Sequence, residues 1–142
     1  MRFKIPTPLS VTGISTLSAL TFSTLLLSTT VYGYTPSGKD ITYGLNGESF
    51  EGYFVSAGED AKGSVLIVHD WDGVDDYERQ RADMLAEQGY DAFAVDLFGA
   101  NNRPQSTEDK QAATRALYED RERMRELTLA GLTQAREAGA NP

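Results

Sequence analysis

The stretch "VLIVHDWDGVDDYERQRADMLAEQGYDAFAVDLFG", residues 65–99, decides the fold of this chain. It begins with an apolar run, residues 65–68, which does not alternate with polar residues and so predicts a strand covered on both faces, as in a parallel sheet. Asp75 and Glu78 have the spacing of a helix capping box, and a second short apolar run follows at residues 92–95. Strand, helix and strand within about 30 residues predict a βαβ unit with a right-handed crossover.

The helix inside this unit is expected to have one apolar face. Val74, Tyr77, Met84 and Leu85 recur at helical spacing. Gly89 suits the C′ position, where a left-handed residue ends a helix. We therefore expect those four side chains to form the apolar face of a helix that ends before Gly89.

The segment before the βαβ unit predicts an antiparallel hairpin. Asn46-Gly47 separates residues 41–43 from residues 48–55, which carry apolar side chains. Both turn residues tolerate the positive φ of a type I′ turn. We therefore expect the folded domain to open at Ile41 with two antiparallel strands.

A long helical tract follows the unit. Ser106 or Thr107 can cap it, and it extends to about Ala138. Its apolar face shifts in phase near Asp120, which predicts two helices or a kink rather than one straight rod. That face consists of Leu117, Met124, Leu127, Leu132 and Ala135.

The first 33 residues have the layout of a secretory signal peptide. Arg2 and Lys4 precede an uncharged, weakly apolar run at residues 11–31, and cleavage is expected just before Tyr34. An uncleaved membrane anchor is the alternative, since about 20 apolar residues span a bilayer. Frequent Ser and Thr residues in the run favour cleavage. That implies export to the periplasm or the extracellular space, with no membrane attachment afterwards.

Residues 34–40 are predicted to be a linker, and residues 41–142 a single domain. The chain carries 21 Asp and Glu against 13 Lys and Arg, a net charge of −8. Such a surface repels phosphate backbones and disfavours nucleic-acid binding. The chain has no cysteine, which excludes disulfides, thiolate metal sites and a cysteine nucleophile within it.

Residues that can carry chemistry follow both predicted parallel strands. His69, Asp70 and Trp71 come after the first strand, and Asp96 and Arg103 come after the second. Ligand crevices of open parallel sheets lie at the carboxyl ends of the strands, so both sets are expected at one edge of the sheet. The backbone N–H of Trp71, between a strand end and a helix, is suited to stabilising an oxyanion in that crevice.

Two interpretations of His69 stay open. Its ordinary pKa of about 6.5 suits a general base. The favoured alternative is a ring hydrogen-bonded to backbone that fixes the loop, because no nucleophile signature lies nearby. Strand alternation argues against a direct pair between His69 and Asp70. For Asp72, Asp75 and Asp76, charge at a helix N-terminus is favoured over calcium binding, since the glycine spacing does not fit an EF-hand loop.

Residues 65–99 resemble the dienelactone hydrolase family of α/β-hydrolases, in which one strand ends in His-Glu, an apolar residue and Gly. "LYEDRERMRELTLAGL", residues 117–132, is similar to the next helix of that family. The resemblance implies a three-layer α/β-hydrolase fold and hydrolysis of ester or lactone bonds, as in carboxymethylenebutenolidases. It also implies a Cys-Asp-His triad, no metal, no cofactor and a small-molecule substrate.

The resemblance gives three residues a role. Asp70 falls on the family's nucleophile-contacting Glu, Trp71 on the residue whose N–H helps form the oxyanion hole, and Arg103 on an arginine that binds the substrate carboxylate. The sequence departs from the pattern because Asp70 is one methylene shorter than Glu and Val95 stands where Pro is usual. The triad itself is absent, since no Gly-x-Cys-x-Gly or Gly-x-Ser-x-Gly elbow occurs.

The chain therefore resembles the N-terminal half of the fold, truncated before the nucleophile elbow. In that topology the next strand pairs beside residues 65–68, so we expect an open apolar edge that promotes self-association. The favoured function is a hydrolase whose present chain is inactive by itself. One alternative is an inactive, exported binding module that recruits a partner to the open edge. The other is a flavodoxin-like module that uses Asp70 and Asp72 for metal or phosphate chemistry.

Overall fold

The computed structural model describes residues 37–142, and the predicted signal peptide, residues 1–33, lies outside that part of the chain. Residues 37–142 form a mixed four-stranded sheet flanked by three helices. The elements follow in the order β1 (Lys39–Leu45), β2 (Glu48–Val55), β3 (Ser64–Val68), α1 (Asp76–Glu87), β4 (Asp91–Val95), α2 (Thr107–Glu119) and α3 (Arg121–Glu137).

β1 and β2 form the predicted antiparallel hairpin, with Asn46 and Gly47 at φ values of 51° and 83°. These positive values are the ones that a type I′ turn requires. β1 begins at Lys39 rather than at Ile41, so the last two residues of the predicted linker belong to the strand. The pairing extends this far because Gly38 N–H donates to the Tyr53 hydroxyl at 2.5 Å, a contact that no local sequence pattern indicates.

The sheet has the strand order β1-β2-β4-β3. β3 and β4 are parallel, in a register that runs from Ser64 opposite Asp91 to Val68 opposite Val95, with α1 between them in sequence. The predicted βαβ unit is confirmed. β4 is buried along its whole length, whereas β3 is half-buried and exposed at both ends. The expectation that both faces of β3 are covered was therefore wrong, because β3 is an edge strand of the described sheet.

Local capping signals begin the first two helices where the sequence predicts. Asp75 and Glu78 form a reciprocal capping box at the start of α1, and Gly89 lies just beyond its end at φ 90°. Ser106 and Asp109 form the second capping box, at the start of α2. Each box satisfies two backbone N–H groups that a helix start leaves without partners.

Asp120 divides the helical tract, as the phase shift predicted. It follows the last residue of α2, and its side chain accepts a hydrogen bond from Arg123 N–H at 2.9 Å at the start of α3. Leu127 and Ala135 of the predicted apolar face are buried. None of the helices within residues 37–142 is both long enough and apolar enough to cross a membrane.

Two hydrophobic clusters lie on opposite faces of the sheet, because neighbouring residues of a strand point to opposite faces. On the face covered by α3, the buried cluster consists of Tyr43, Phe50, Phe54, Phe93, Val95, Leu97, Leu127 and Ala135. On the face covered by α1, it consists of Tyr53, Val55, Val74, Ala82, Ala92 and Ala94. Helices on both faces of a mixed sheet make the predicted three-layer α/β arrangement.

The buried face of α1 matches the predicted one in part. Val74 is buried and Leu85 packs against the core, as predicted, whereas Tyr77 and Met84 are exposed. Glu78, Ala82 and Asp83 are buried in their place. The hydrophobic pattern does not predict burial of Glu78 and Asp83, because carboxylates are buried only where hydrogen bonds compensate for lost hydration. Asp83 accepts from the Tyr53 hydroxyl at 2.8 Å, and Glu78 takes part in the capping box.

Candidate active site

The carboxyl ends of β3 and β4 meet at one edge of the sheet, and His69 joins them. Its Nε2 atom accepts a hydrogen bond from Leu97 N–H at 3.1 Å, and its Nδ1 atom lies 2.6 Å from the carbonyl oxygen of Asp70. Because Nε2 is an acceptor, Nδ1 carries the proton and donates to Asp70. The ring also packs against Phe98, with the ring centres 4.5 Å apart.

His69 therefore has the backbone-bonding role rather than that of a general base. The residue is 7% exposed, and burial lowers the pKa of its imidazole below 6.5, so the ring is neutral near pH 7. Both ring nitrogens are already used by backbone groups. A neutral ring without a free nitrogen cannot take a proton from a nucleophile.

The carbonyl that His69 holds belongs to the same peptide unit as the N–H of Trp71. This peptide is trans and planar, so its N–H points away from its C=O, and His69 thereby fixes the direction of the Trp71 N–H. Within residues 37–142 no group accepts a hydrogen bond from that N–H. The loop thus presents one oriented and unused backbone donor at the end of β3.

Further contacts hold the loop that carries Asp70 and Trp71. Asp72 N–H donates to Asp70 Oδ1 at 3.1 Å, which makes an Asx-type turn. The Asp72 carboxylate forms an ion pair with Lys110 of α2. The Lys110 ammonium also lies 5.4 Å from the centre of the Trp71 ring. Asp70 itself is exposed, whereas His69 is buried.

Asp96 shapes the loop that follows β4. Its carboxylate is 1% exposed and accepts hydrogen bonds from Phe98 N–H and Gly99 N–H, at 2.9 and 3.0 Å, through Oδ1. Its Oδ2 atom accepts from Glu51 N–H at 3.1 Å. Three backbone donors on one carboxylate fix the path of residues 97–99, which puts Leu97 and Phe98 beside His69.

A cavity of about 330 Å³ lies at these strand ends. The strands and their loops contribute Asp70 and Trp71, and the helices contribute Thr114, Leu117, Tyr118 and Met124. The volume falls in the range of small-molecule sites. A larger cleft of about 590 Å³ near the start of β1 shares no lining residue with this cavity and contains none of the strand-end groups.

The structure does not bring Arg103 to this cavity. Its guanidinium donates to the Val74 carbonyl at 2.8 Å, and to the Glu51 carboxylate and carbonyl at 3.1 and 3.4 Å. These contacts tie the loop after β4 to the start of α1 and to β2. Arg103 is absent from the residues that line the cavity around Asp70 and Trp71.

Two further acidic residues near the loop have structural partners. Asp75 caps α1, and Asp72 pairs with Lys110. Among the described residues, no group of three or more His, Asp and Glu side chains is placed to hold a metal ion.

The helical wall of the cavity was missed by reasoning from the sequence. Thr114 and Tyr118 carry no motif, and Leu117 and Met124 were assigned to an apolar helix face without a link to the site. Their position depends on how α2 and the start of α3 lie beside the strand ends, which is a tertiary contact. No residue of α2 is buried and Tyr118 is exposed, although the sequence pattern predicts a helix with one apolar face.

The chain is similar to known proteins in sequence and in fold. Residues 50–140 match the family model of the dienelactone hydrolase family. A solved structure of a protein named m3DLH is similar to the chain, with a TM-score of 0.59 and 28% identity over 68% of this chain and 42% of that one. A second solved structure is a dienelactone hydrolase-like promiscuous phosphotriesterase from metagenomic libraries, with a TM-score of 0.62 and 20% identity over 74% of this chain and 44% of that one.

The similarity to the phosphotriesterase, at 20% identity, is a similarity of fold alone. The chain spans less than half the length of either of these two proteins. No curated protein matches the chain.

Proposed function

Because the chain belongs to the dienelactone hydrolase family and has a hydrolase-type fold, we propose that it forms the oxyanion-binding side of an active site for ester or lactone hydrolysis. The observation that carries this proposal is the N–H of Trp71. It is oriented by His69 through the Asp70 carbonyl, has no acceptor within residues 37–142, and belongs to a residue that lines the strand-end cavity. The substrate is a small-molecule ester or lactone.

In this proposal the Trp71 N–H acts on the charge that develops during acyl transfer. When a nucleophile adds to the carbonyl carbon, the carbonyl oxygen becomes an oxyanion, and the N–H donates a hydrogen bond to it. One such donor typically contributes about 10²- to 10³-fold to kcat. His69 transfers no proton in this scheme, since it holds the donor in place.

The nucleophile comes from outside these 142 residues. The chain has no cysteine and no Gly-x-Ser-x-Gly elbow, and its single histidine is already bonded to backbone through both nitrogens. A covalent route needs an activated nucleophile with a base beside it. Asp70, at the family's nucleophile-contacting position, is the residue that we expect to face that nucleophile. The 142 residues alone are therefore expected to be inactive.

The nucleotide sequence beyond Pro142 tests this proposal. We expect a Gly-x-Cys-x-Gly or Gly-x-Ser-x-Gly elbow within about 20 codons, in one of the three frames. The protein that includes the elbow should hydrolyse small aryl esters, whereas the 142-residue chain should not. Absence of an elbow from every frame would contradict the proposal, as would ester hydrolysis by the 142-residue chain itself.

A second candidate function is a binding module without catalysis, and the position of β3 favours it. β3 is an edge strand of the described sheet, and Val68 at its end is 53% exposed. An unpaired edge of this kind is a template for pairing with another chain. A stable oligomer of defined size, measured by sedimentation equilibrium, together with no hydrolysis by the elbow-containing protein, would favour this candidate over the first.

We also propose that residues 1–33 are a signal peptide that is cleaved on export. Export to the periplasm or the extracellular space would place such a hydrolase in contact with esters and lactones from outside the cell. An amino-terminal sequence of the mature protein that begins at Tyr34 would support this localisation, and retention of residues 1–33 would contradict cleavage.

A further inference from the structure

The strand-end cavity has an apolar wall whose chemistry the proposed hydrolysis does not explain. Its lining combines the aromatic residues Trp71, Phe98 and Tyr118 with aliphatic side chains such as Leu97 and Leu117. Trp71 and Tyr118, two of the six exposed large apolar side chains of the described residues, lie here, at 43% and 62% exposure. Exposed aromatic side chains beside a concave apolar surface are typical of a ligand site.

The charges around this cavity disfavour an anionic ligand. Among the described residues, Asp70 is the one charged residue that lines it. A carboxylate brought beside Asp70 would lose hydration and meet a like charge. Arg103, which the family resemblance assigns to a substrate carboxylate, is bonded to Val74 and Glu51 instead.

Among the described residues, Lys110, Arg121 and Arg115 lie near the cavity without lining it. Lys110 is paired with Asp72, and Arg121 donates to the Tyr118 carbonyl. Arg115 lines an adjoining groove together with Trp71 and Tyr118, and it is exposed to solvent. An anion that bound here would have to reach Arg115 outside the cavity, where solvent weakens the attraction.

One hydroxyl in the helical wall lacks a partner. Thr114 Oγ1 is buried and makes no hydrogen bond within residues 37–142. A buried polar atom without a partner costs free energy and is rare in native proteins. Threonine in a helix has two common χ1 rotamers, so this hydroxyl can turn toward an oxygen atom of a ligand.

We propose that the cavity binds the uncharged aromatic part of an ester substrate and discriminates against carboxylates, with Thr114 as a specificity-determining hydrogen-bond donor. This inference rests on the proposed function, because it names the substrate class of the same site. The aromatic part packs between Trp71 and Tyr118. Asp70 repels an acid, and the Thr114 hydroxyl donates to one oxygen of the neutral ligand.

Trp71 provides the measurement, because it is the single tryptophan of the chain. Its fluorescence is followed in the 142-residue protein while methyl phenylacetate or phenylacetate is added at pH 7.5. These two probes share the aromatic ring and differ in charge. We expect the ester to quench Trp71 with a Kd at least about tenfold lower than that of the acid.

Substitutions at Thr114 test the hydroxyl. Thr114→Val removes it at nearly constant volume and should raise the Kd of the ester by about two- to tenfold. Thr114→Ser keeps a hydroxyl and should retain most of the affinity. Thr133→Val is the matched control, because the Thr133 hydroxyl donates to the Leu129 carbonyl on an exposed part of α3. That control should leave the Kd unchanged.

Three results would overturn the inference. They are equal affinity for ester and acid, acid binding that Arg115→Gln abolishes, and absence of quenching by either probe. Failure of the proposed hydrolysis is a separate result, since release of phenylacetate from the ester is measured on the elbow-containing protein. Selective binding without turnover would contradict hydrolysis and leave the cavity inference standing, whereas turnover with equal binding would overturn the cavity inference alone.

Discussion

The Nδ1 atom of His69 lies 2.6 Å from the carbonyl oxygen of Asp70, and that carbonyl shares its peptide unit with the N–H of Trp71. The other ring nitrogen of His69 accepts from Leu97 N–H at the end of the neighbouring strand. One neutral imidazole thus links the two strand ends and orients the backbone donor proposed for catalysis. Loss of this bridge should therefore affect both the stability of the fold and the orientation of the Trp71 N–H.

Removal of the His69 bridge should destabilise the fold. His69→Phe leaves the buried Leu97 N–H without an acceptor, which should lower the free energy of unfolding by about 1–3 kcal/mol. His69→Gln can place a side-chain oxygen near the former Nε2 position, so its loss should be smaller. Urea denaturation of both variants measures the difference. Equal losses in the two variants would show that the hydrogen bond to Leu97 is not the cause.

The stability should decrease as the pH falls below 6.5. Burial lowers the pKa of His69 in the folded protein, against the opposing effects of Asp96 and Asp70, with Arg103 lowering it further. The unfolded chain therefore binds a proton at a higher pH than the folded chain, and unfolding is favoured as the pH decreases from 6.5 toward the folded-state pKa. The slope should not exceed about 1.4 kcal/mol per pH unit.

Glu78 acts in the opposite direction at lower pH. Burial raises its pKa in the folded protein, so protonation of Glu78 adds stability as the pH falls through that raised value. In His69→Gln, the decrease in the free energy of unfolding between pH 7.5 and 5.5 should disappear. The stabilisation that comes from protonation of Glu78 should remain. Denaturation midpoints of the two proteins across this range measure the contrast. An identical pH profile in the variant would contradict the assignment to His69.

Arg103 should prove structural rather than substrate-binding. Arg103→Gln removes the donors to Val74 and Glu51 and should lower the free energy of unfolding by about 1–2 kcal/mol. Glu51→Gln weakens the half-exposed ion pair but keeps the backbone acceptors, so it should cost less than about 1 kcal/mol. Chemical denaturation compares the two. If Arg103→Gln left stability unchanged but weakened binding of phenylacetate, the residue would belong to the site after all.

The exposed edge of β3 should drive self-association of the folded 142-residue chain. Val68→Lys places a charge at this edge and should raise the dimer dissociation constant by about tenfold or more. Leu129→Lys, on an exposed position of α3, is the control and should have little effect. Concentration-dependent light scattering measures both. A wild-type protein that stays monomeric at high concentration would contradict the expectation.

Local signals explain why much of the fold was predictable. The positive φ of Asn46 and Gly47 is a property of two residues, and the capping box of Asp75 and Glu78 spans three peptide units. Neither depends on the rest of the chain. Parallel pairing of β3 and β4 followed from one general rule, that two strands joined by a helix lie side by side in a parallel sheet.

Tertiary contacts explain what the sequence did not reveal. The buried carboxylate of Asp83 is tolerable because it accepts a hydrogen bond from the Tyr53 hydroxyl, 30 residues away. The pattern of apolar residues therefore predicted only part of the buried face of α1. Arg103 follows the second strand as expected, but long-range acceptors at Val74 and Glu51 turn it away from the cavity. The helical wall of the cavity has the same origin, since Thr114 reaches the site only through the packing of α2.

The most direct test of the central claim replaces the Trp71 N–H with an atom that cannot donate a hydrogen bond. Indole-3-lactic acid, incorporated at position 71 by nonsense suppression, replaces the backbone N–H by an ester oxygen and keeps the side chain. In the elbow-containing protein we expect kcat for a small aryl ester to fall by about 10²- to 10³-fold with little change in KM. The same suppression with tryptophan is the control. An unchanged kcat would contradict the account, because the donor that His69 holds in place would then take no part in catalysis.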